Sequence, residues 1–369
     1  MRHLSALLAA SLLAACGGGG GGGTNPLGPP TGPTLRSLAD GRILIGTAVA
    51  ATPAWNVDPL HDDPTYAALV ADQFNVIVPE NVMKFDQVEP SRGTFRFTDA
   101  DAVVAFAQAH QQVVRGHCLL WHRQSGWLFD DAGTLVSGVA AADLPAILQE
   151  HVTTVVEHFK GQVAYWDVVN EAIADDQAAG LSVEASLRNA AWARYYPRAA
   201  GEKKYKWIED AFRAAHAADP DAKLFYNEYG DEGLNGWGHK SDYTYALVKQ
   251  LLADGVPVHG VGMQMHVDTS GYPLNDHFAE NVKRFTDLGL EVHVTELDVK
   301  VTTGGLEAQK AVYQGLLEAA LANPGVTAFL TWGLDDGHSW LTSGSPLPFD
   351  ASYGAKPAFY GLQAALQPR

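Results

Sequence analysis

Two glutamates, Glu171 and Glu296, each close an apolar run of β type. Glu171 follows Tyr165-Trp166-Asp167-Val168-Val169-Asn170, and Glu296 follows Val292-His293-Val294-Thr295. A carboxyl kept protonated can give a proton to a leaving oxygen, and an ionised one can attack or shield the carbon left behind. Cleavage of an acetal, such as a glycosidic bond, needs both, so the two groups must sit in different environments. Each glutamate alone also has a plainer reading, a helix N-cap for Glu171 and a buried ion pair for Glu296. What sets them apart is company. Polar residues end other apolar runs in the same way: Glu80 and Asn81, Trp121 and His122, Asn227 and Glu228, Gln264 and His266, and Trp332.

The elements that must position these residues repeat along the chain. Short β-rich segments are expected at 43–49, 74–79, 113–120, 163–169, 223–226, 260–266, 291–295 and 328–332, with helical spacing between them. Asp143 reads as the N-cap of an amphipathic helix running from Leu144-Pro145 through Ile147, Leu148, Val152, Val155, Val156 and Phe159. A second helix runs from Lys206 through Trp207, Asp210, Ala211 and Ala214 and stops before Asp219-Pro220. Eight strands alternating with helices predict an α/β chain folded as one (β/α)8 TIM barrel. A doubly wound open sheet would want a Gly-rich phosphate loop after the first strand, and Gly46-Thr47-Ala48 is not one. Barrel strands are expected to be apolar inside, with the chemistry at their C-terminal ends, where these polar residues fall.

The order and content of the motifs resemble glycoside hydrolase family 10. They are Pro79-Glu80-Asn81-Val82-Met83-Lys84, Arg115-Gly116-His117 through Trp121-His122, Trp166-Asp167-Val168-Val169-Asn170-Glu171-Ala172, Asn227-Glu228-Tyr229, Gly262-Met263-Gln264-Met265-His266, Thr295-Glu296-Leu297-Asp298 and Thr331-Trp332-Gly333. The likeness spans about 41–362. It implies a retaining endo-1,4-β-xylanase with Glu171 as acid/base and Glu296 as nucleophile, their carboxyls roughly 5–5.5 Å apart. It also implies that Asn170 bonds the sugar 2-OH and that His266 and Asp298 hold Glu296 ionised. Glu80, Asn81, Lys84, His117, Trp121, Gln124, Asn227, Gln264 and Trp332 resemble its substrate-binding set. Trp332 and Trp340 suit a sugar platform, Tyr229 the leaving-group side, and Asn81 with Lys84 the ring beyond the cleaved one. No metal or cofactor is expected.

Composition narrows the partners. A formal charge of -17 argues against nucleic acid and against an electrostatic grip on anionic lipid, so a neutral ligand, or none at all, fits better; the family likeness implies xylan or its oligosaccharides. Of the two cysteines, Cys118 lies in an apolar run and reads as a small buried hydrophobe. Cys16 ends Leu13-Ala14-Ala15-Cys16 after a short basic start and an apolar run, which resembles a bacterial lipoprotein box. The expected layout is an export signal at 1–15, a Gly/Pro-rich tether at 16–34 with lipid on Cys16, and a catalytic domain at 35–369, as a monomer held to a membrane or cell surface, otherwise secreted. Asp335-Asp336-Gly337-His338 is expected to be a solvated loop that could alter outer subsites or hold a cation. Within 174–196, Arg194-Tyr195-Tyr196 is a candidate wall of the groove.

Three rivals are open to the same residues. An endo-β-1,4-glucanase would use identical machinery, with groove width deciding. A lipid-anchored glycan-binding protein would lack Glu171 or Glu296, and both are present. A metal-dependent barrel hydrolase would carry histidines on its first strand, and 43–49 has none.

Overall fold

The computed structural model describes residues 27–175, 177–234, 239–270 and 276–368. Its strands are β1 (Leu44–Val49), β2 (Val76–Pro79), β3 (Val113–Leu120), β4 (Tyr165–Asn170), β5 (Lys223–Glu228), β6 (Gly260–Met263), β7 (His266–Asp268), β8 (Glu291–Lys300) and β9 (Val326–Thr331). They pair in parallel in the order β6-β5-β4-β3-β2-β1-β9-β8, and β6 pairs back onto β8. Eight parallel strands therefore close on themselves, with helices between successive strands: a (β/α)8 barrel, as the alternation predicts. Closure is what brings strands far apart in sequence around one mouth.

The expected strand at 260–266 is broken. Met265 takes a left-handed φ of 67°, so pairing with β8 stops at Met263 and resumes one step outward, His266 opposite Asp298. That break sets His266 and Asp298 side by side on neighbouring strands. Two glycines keep the barrel wall thin where large groups cross it. A Cβ on Gly116 would lie 2.3 Å from the Trp166 ring, and one on Gly262 would lie 2.1 Å from Asn227 Oδ1.

The barrel interior is not wholly apolar. Arg115 on β3 reaches Asp167 on β4, its Nε 3.1 Å from Oδ2 and its Nη2 on Oδ1, and both side chains are buried. Burial pushes the Asp167 carboxyl up, but the Arg115 guanidinium beside it prevails and holds it below the usual carboxylate range. His293 on β8, driven by burial down to about 4, is neutral and lies 2.8 Å from Arg115 Nη1 through Nδ1. Such a pair is retained at a cost of desolvation, and losing one partner typically costs about 3–5 kcal/mol. Here it supports the floor of the site, since Asp167 Oδ2 also meets His117 Nδ1 at 3.0 Å.

The outer elements follow the sequence with three corrections. The helices Leu144–His158 and Lys206–Ala218 form as expected. Asp143 precedes the first but does not cap it through its side chain, which pairs instead with Arg92 at 2.9 Å. Of the expected tether, 27–34 packs on the domain: Ala355 N donates to Gly28 O, Gln363 Nε2 donates to Thr31 O and Pro33 O, and Thr34 caps the helix Leu35–Ala39. The expected signal at 1–15 and Cys16 lie outside the described residues. Asp335 is fully buried and bonded by Gly337 N and His338, while Asp336 pairs with Lys356 at 2.9 Å. This loop is pinned by its charges rather than solvated.

Candidate active site

The C-terminal ends of the strands open into a groove of about 790 Å³. Its lining includes Glu80 and Asn81 after β2, His117 on β3 with Trp121 and Gln124 beyond it, Asn170 and Glu171 at the end of β4, Tyr229 after β5, Gln264 and His266 after β6, Glu296 on β8, and Trp332 with Trp340 after β9. Lys84 lines it too. Asn227 and Asp298 lie behind this lining, each holding a group that faces the groove. Cys118 is buried and its thiol is pushed up by burial, so it is a packing residue. Arg194-Tyr195-Tyr196 is not part of the wall: Tyr196 donates to Asp210 on the helix Lys206–Ala218, and Arg194 covers Tyr195.

Glu171 is placed by its backbone. It adopts a left-handed φ of 57° just beyond β4, with its N–H on Asn227 O at 2.9 Å, which turns the side chain into the mouth. Trp121 Nε1 donates to Oε2 at 2.8 Å, and Gln264 Nε2 and Asn170 Nδ2 donate to Oε1 at 3.1 and 3.2 Å. Those donors favour the ionised form. Burial opposes them and wins, reinforced by the charge of Glu228, so the carboxyl is held above its ordinary range.

Glu296 has the opposite balance. It is 4% exposed, and burial alone would raise it. His266 Nε2 stands 3.3 Å from Oε2, Asn227 Nδ2 donates to Oε1 at 2.7 Å, and His117 adds positive potential, so the carboxyl ends below its ordinary range. His266 can supply a full charge because burial, which would discharge it, is outweighed by Asp298, raising it to about 10. Its Nδ1 lies 2.9 Å from Asp298 Oδ2, which also accepts from Trp340 Nε1 at 2.8 Å. Between the two carboxyls runs an amide chain: Asn227 Nδ2 and Gln264 Nε2 both donate to Asn170 Oδ1, at 2.9 and 3.2 Å. Thr295 Oγ1 fixes Asn227 by donating to its Oδ1.

The far wall is built for hydroxyls and ring faces. Lys84 Nζ donates to Asn81 Oδ1 at 3.0 Å and lies 5.0 Å from the centre of the Trp121 ring. Glu80 beside it is raised by burial, which outweighs Lys84. Trp332 meets His117 edge-on at 5.1 Å, and Trp340, 53% exposed, meets His266 likewise at 5.1 Å.

Several residues that shape the site give no sign in the sequence. Arg188 donates to the carbonyls of Glu171 and Ile173 and to both oxygens of Asp175, fixing the turn that carries Glu171. Lys240 is buried at the start of the helix Lys240–Ala253, pairs with Glu228 at 2.8 Å and lies 3.3 Å from the Tyr229 ring centre. Trp55, on the loop after β1, also lines the groove. None of these belongs to a periodic run or a strand end. Among the described residues, no group of three or more His, Cys, Asp or Glu is placed to hold a metal ion.

Opposed carboxyls predict the shape of the pH profile. With the roles the family likeness implies, Glu171 as acid and Glu296 as nucleophile, activity needs Glu296 ionised and Glu171 protonated. It is lost as pH falls through the lowered value of Glu296 and as pH rises through the raised value of Glu171, so the plateau is wider than two ordinary carboxyls would give. His266→Ala removes a cation from Glu296 and is expected to move the acid limb of kcat/KM upward by about one pH unit or more, leaving the alkaline limb nearly in place. An acid limb at its original pH would show that His266 does not govern Glu296.

A raised and a lowered carboxyl across a groove of amides and indoles, at the mouth of a parallel barrel, can protonate one side of an acetal and stabilise the other. This places the chain among the barrel glycoside hydrolases. The sequence profile of Glycosyl hydrolase family 10 matches residues 34–365, and the chain belongs to that family. It is 36% identical over 345 residues to endo-1,4-beta-xylanase B of Thermotoga neapolitana, covering 90% of this chain and 91% of that one. It is 37% identical over 321 residues to exoglucanase XynX of Acetivibrio thermocellus, 83% of this chain but 28% of that longer protein. The crystal structure of xylanase 10B from Thermotoga petrophila RKU-1 in complex with xylobiose superposes with a TM-score of 0.79 at 36% identity, covering 92% of this chain and 98% of that one.

Proposed function

We propose that this chain is a retaining endo-1,4-β-xylanase in which Glu171 is the acid/base and Glu296 the nucleophile. The observation that carries the roles is the opposite displacement of two buried carboxyls facing one groove. Xylan as substrate is supported by family membership and by relatives whose names or bound sugar are those of xylanases.

In the first step Glu296 attacks the anomeric carbon as the glycosidic C–O bond breaks, and Glu171 gives its proton to the departing oxygen. The sugar is then esterified to Glu296, whose negative charge is gone. That charge is one of the influences raising Glu171, so its loss makes the Glu171 carboxylate, now ionised, more at ease. In the second step water loses a proton to Glu171 and attacks the same carbon, releasing Glu296. Asn170, oriented by Asn227 and Gln264, bonds the sugar 2-OH, a contact that strengthens as positive charge develops. His266 stays charged throughout, Asp298 orients it, and Trp340 lies against both.

Product analysis of the soluble domain on glucuronoxylan and carboxymethyl cellulose tests the substrate. Short xylo-oligosaccharides with no attack on cellulose are expected; cellulose cleavage at a comparable rate would favour the glucanase reading, for which one relative is named an exoglucanase.

We also propose that 1–15 is an export signal and that Cys16 carries lipid. The supporting pattern is Leu13-Ala14-Ala15-Cys16 followed by glycines at 17–23. Cys16→Ser is expected to move xylanase activity from the membrane to the soluble fraction of an expressing bacterium. An unchanged distribution would contradict lipidation.

A further inference from the structure

We propose that Trp55 is the platform of a further sugar subsite on the glycone side, stacking on an uncharged pyranose ring beyond the one met by Asn81 and Lys84; this rests on the xylanase reading above. β1 lies between β2 and β9 in the closed sheet, so the loop leaving its top rises between the Glu80-Asn81 turn and the Trp332-to-Trp340 loop. Trp55 stands on that loop and lines the same groove as those residues. Its indole is 49% exposed, close to the exposure of Trp340.

A lone exposed indole is ordinary on a protein surface. This one is presented by a tied turn. Val57 N donates to Thr52 O at 3.2 Å and Thr52 N donates to Val57 O. Trp55 N and Asn56 N bond back to Thr52 O and Pro53 O at 2.9 and 3.0 Å. Asn56 takes the left-handed φ of 56° that closes the turn, and Pro53 removes one backbone freedom. The ring is thus held out at low entropic cost, and among the described residues no other aromatic ring stacks on it. A flat apolar face fixed at the rim of a groove lined with hydroxyl-binding side chains matches the apolar face of a pyranose. Beside it Asp58, Asp62 and Asp63 line a shallow hollow of about 300 Å³ together with His338. Three carboxylates against one imidazole leave that side net acidic, which favours a neutral xylose over a uronate.

The test compares aryl β-xylobioside with aryl β-xylotrioside, which differ only in the third glycone ring. In the unaltered enzyme kcat/KM should rise about tenfold from the first to the second, the effect of one stacking contact. Trp55→Ala is expected to abolish most of that gain, and Trp55→Phe to keep much of it. No gain in the unaltered enzyme, or a gain kept in full by Trp55→Ala with its melting temperature unchanged, would overturn the subsite alone. Cleavage of neither glycoside would overturn the xylanase reading and this one with it.

Discussion

Glu296→Ala is expected to lower kcat on xylan by about 10⁴-fold or more, because among the described carboxyls that line the groove (Glu80, Asp86, Glu171 and Glu296) Glu296 alone is held below its ordinary range. The fold should survive. Glu296 is held by His266 and Asn227, and each keeps another partner, Asp298 for the first and Asn170 for the second. The loss therefore belongs to kcat, with circular dichroism and melting temperature close to those of the unaltered protein. Azide, a small anion that fits where the carboxylate was, can attack the anomeric carbon of an activated aryl xylobioside from that same face. The product would be a xylobiosyl azide of inverted configuration, made with no ester on the enzyme. A folded Glu296→Ala protein with ordinary turnover of xylan would refute the nucleophile.

Glu171→Ala is expected to divide substrates by leaving group. Xylan, whose departing sugar oxygen needs a proton, should be cleaved about 10²–10⁴-fold more slowly, the usual worth of a general acid. A dinitrophenyl xylobioside leaves as a stabilised phenolate and needs no proton, so its first step should be nearly as fast as before. Water, lacking a base, then attacks the ester slowly, and a burst of phenolate followed by a slow steady state is the expected trace. Added azide needs no deprotonation and should speed that second step, giving xylobiosyl azide with retained configuration. Equal losses on both substrates would mean that Glu171 only shapes the site. The opposite stereochemistry of the two azide products separates the roles of the two glutamates in one assay.

The barrel was legible because its signal is periodic. Short apolar runs recur, and the third, Val113–Leu120, begins and ends where the sequence predicts. The split of the sixth was not, since Met265 carries no mark of a left-handed residue as glycine would. Nor was the pair of Arg115 and Asp167, which depends on two strands 52 residues apart lying in register. The same logic governs the site. Residues that close the expected strands, such as Asn170, Gln264 and Glu296, could be read because strand and register carry them to one mouth, although β8 runs on past Glu296 to Lys300. Arg188, Lys240 and Trp55 could not, because each sits on a loop or a helix start whose path is set by tertiary packing. Asp143 shows the reverse error: a residue of capping type, spent on Arg92 instead.

The most direct measurement is the mass of the enzyme after exposure to a 2-deoxy-2-fluoro xylobioside with a good leaving group. The fluorine slows both steps by destabilising positive charge at the anomeric carbon, and the leaving group restores the first, so an ester accumulates. A one-to-one adduct of the fluorosugar, lying after proteolysis on the peptide that carries Glu296, is the expected result. An adduct on any other residue, or inverted product from xylan with no adduct, would contradict a double displacement through Glu296.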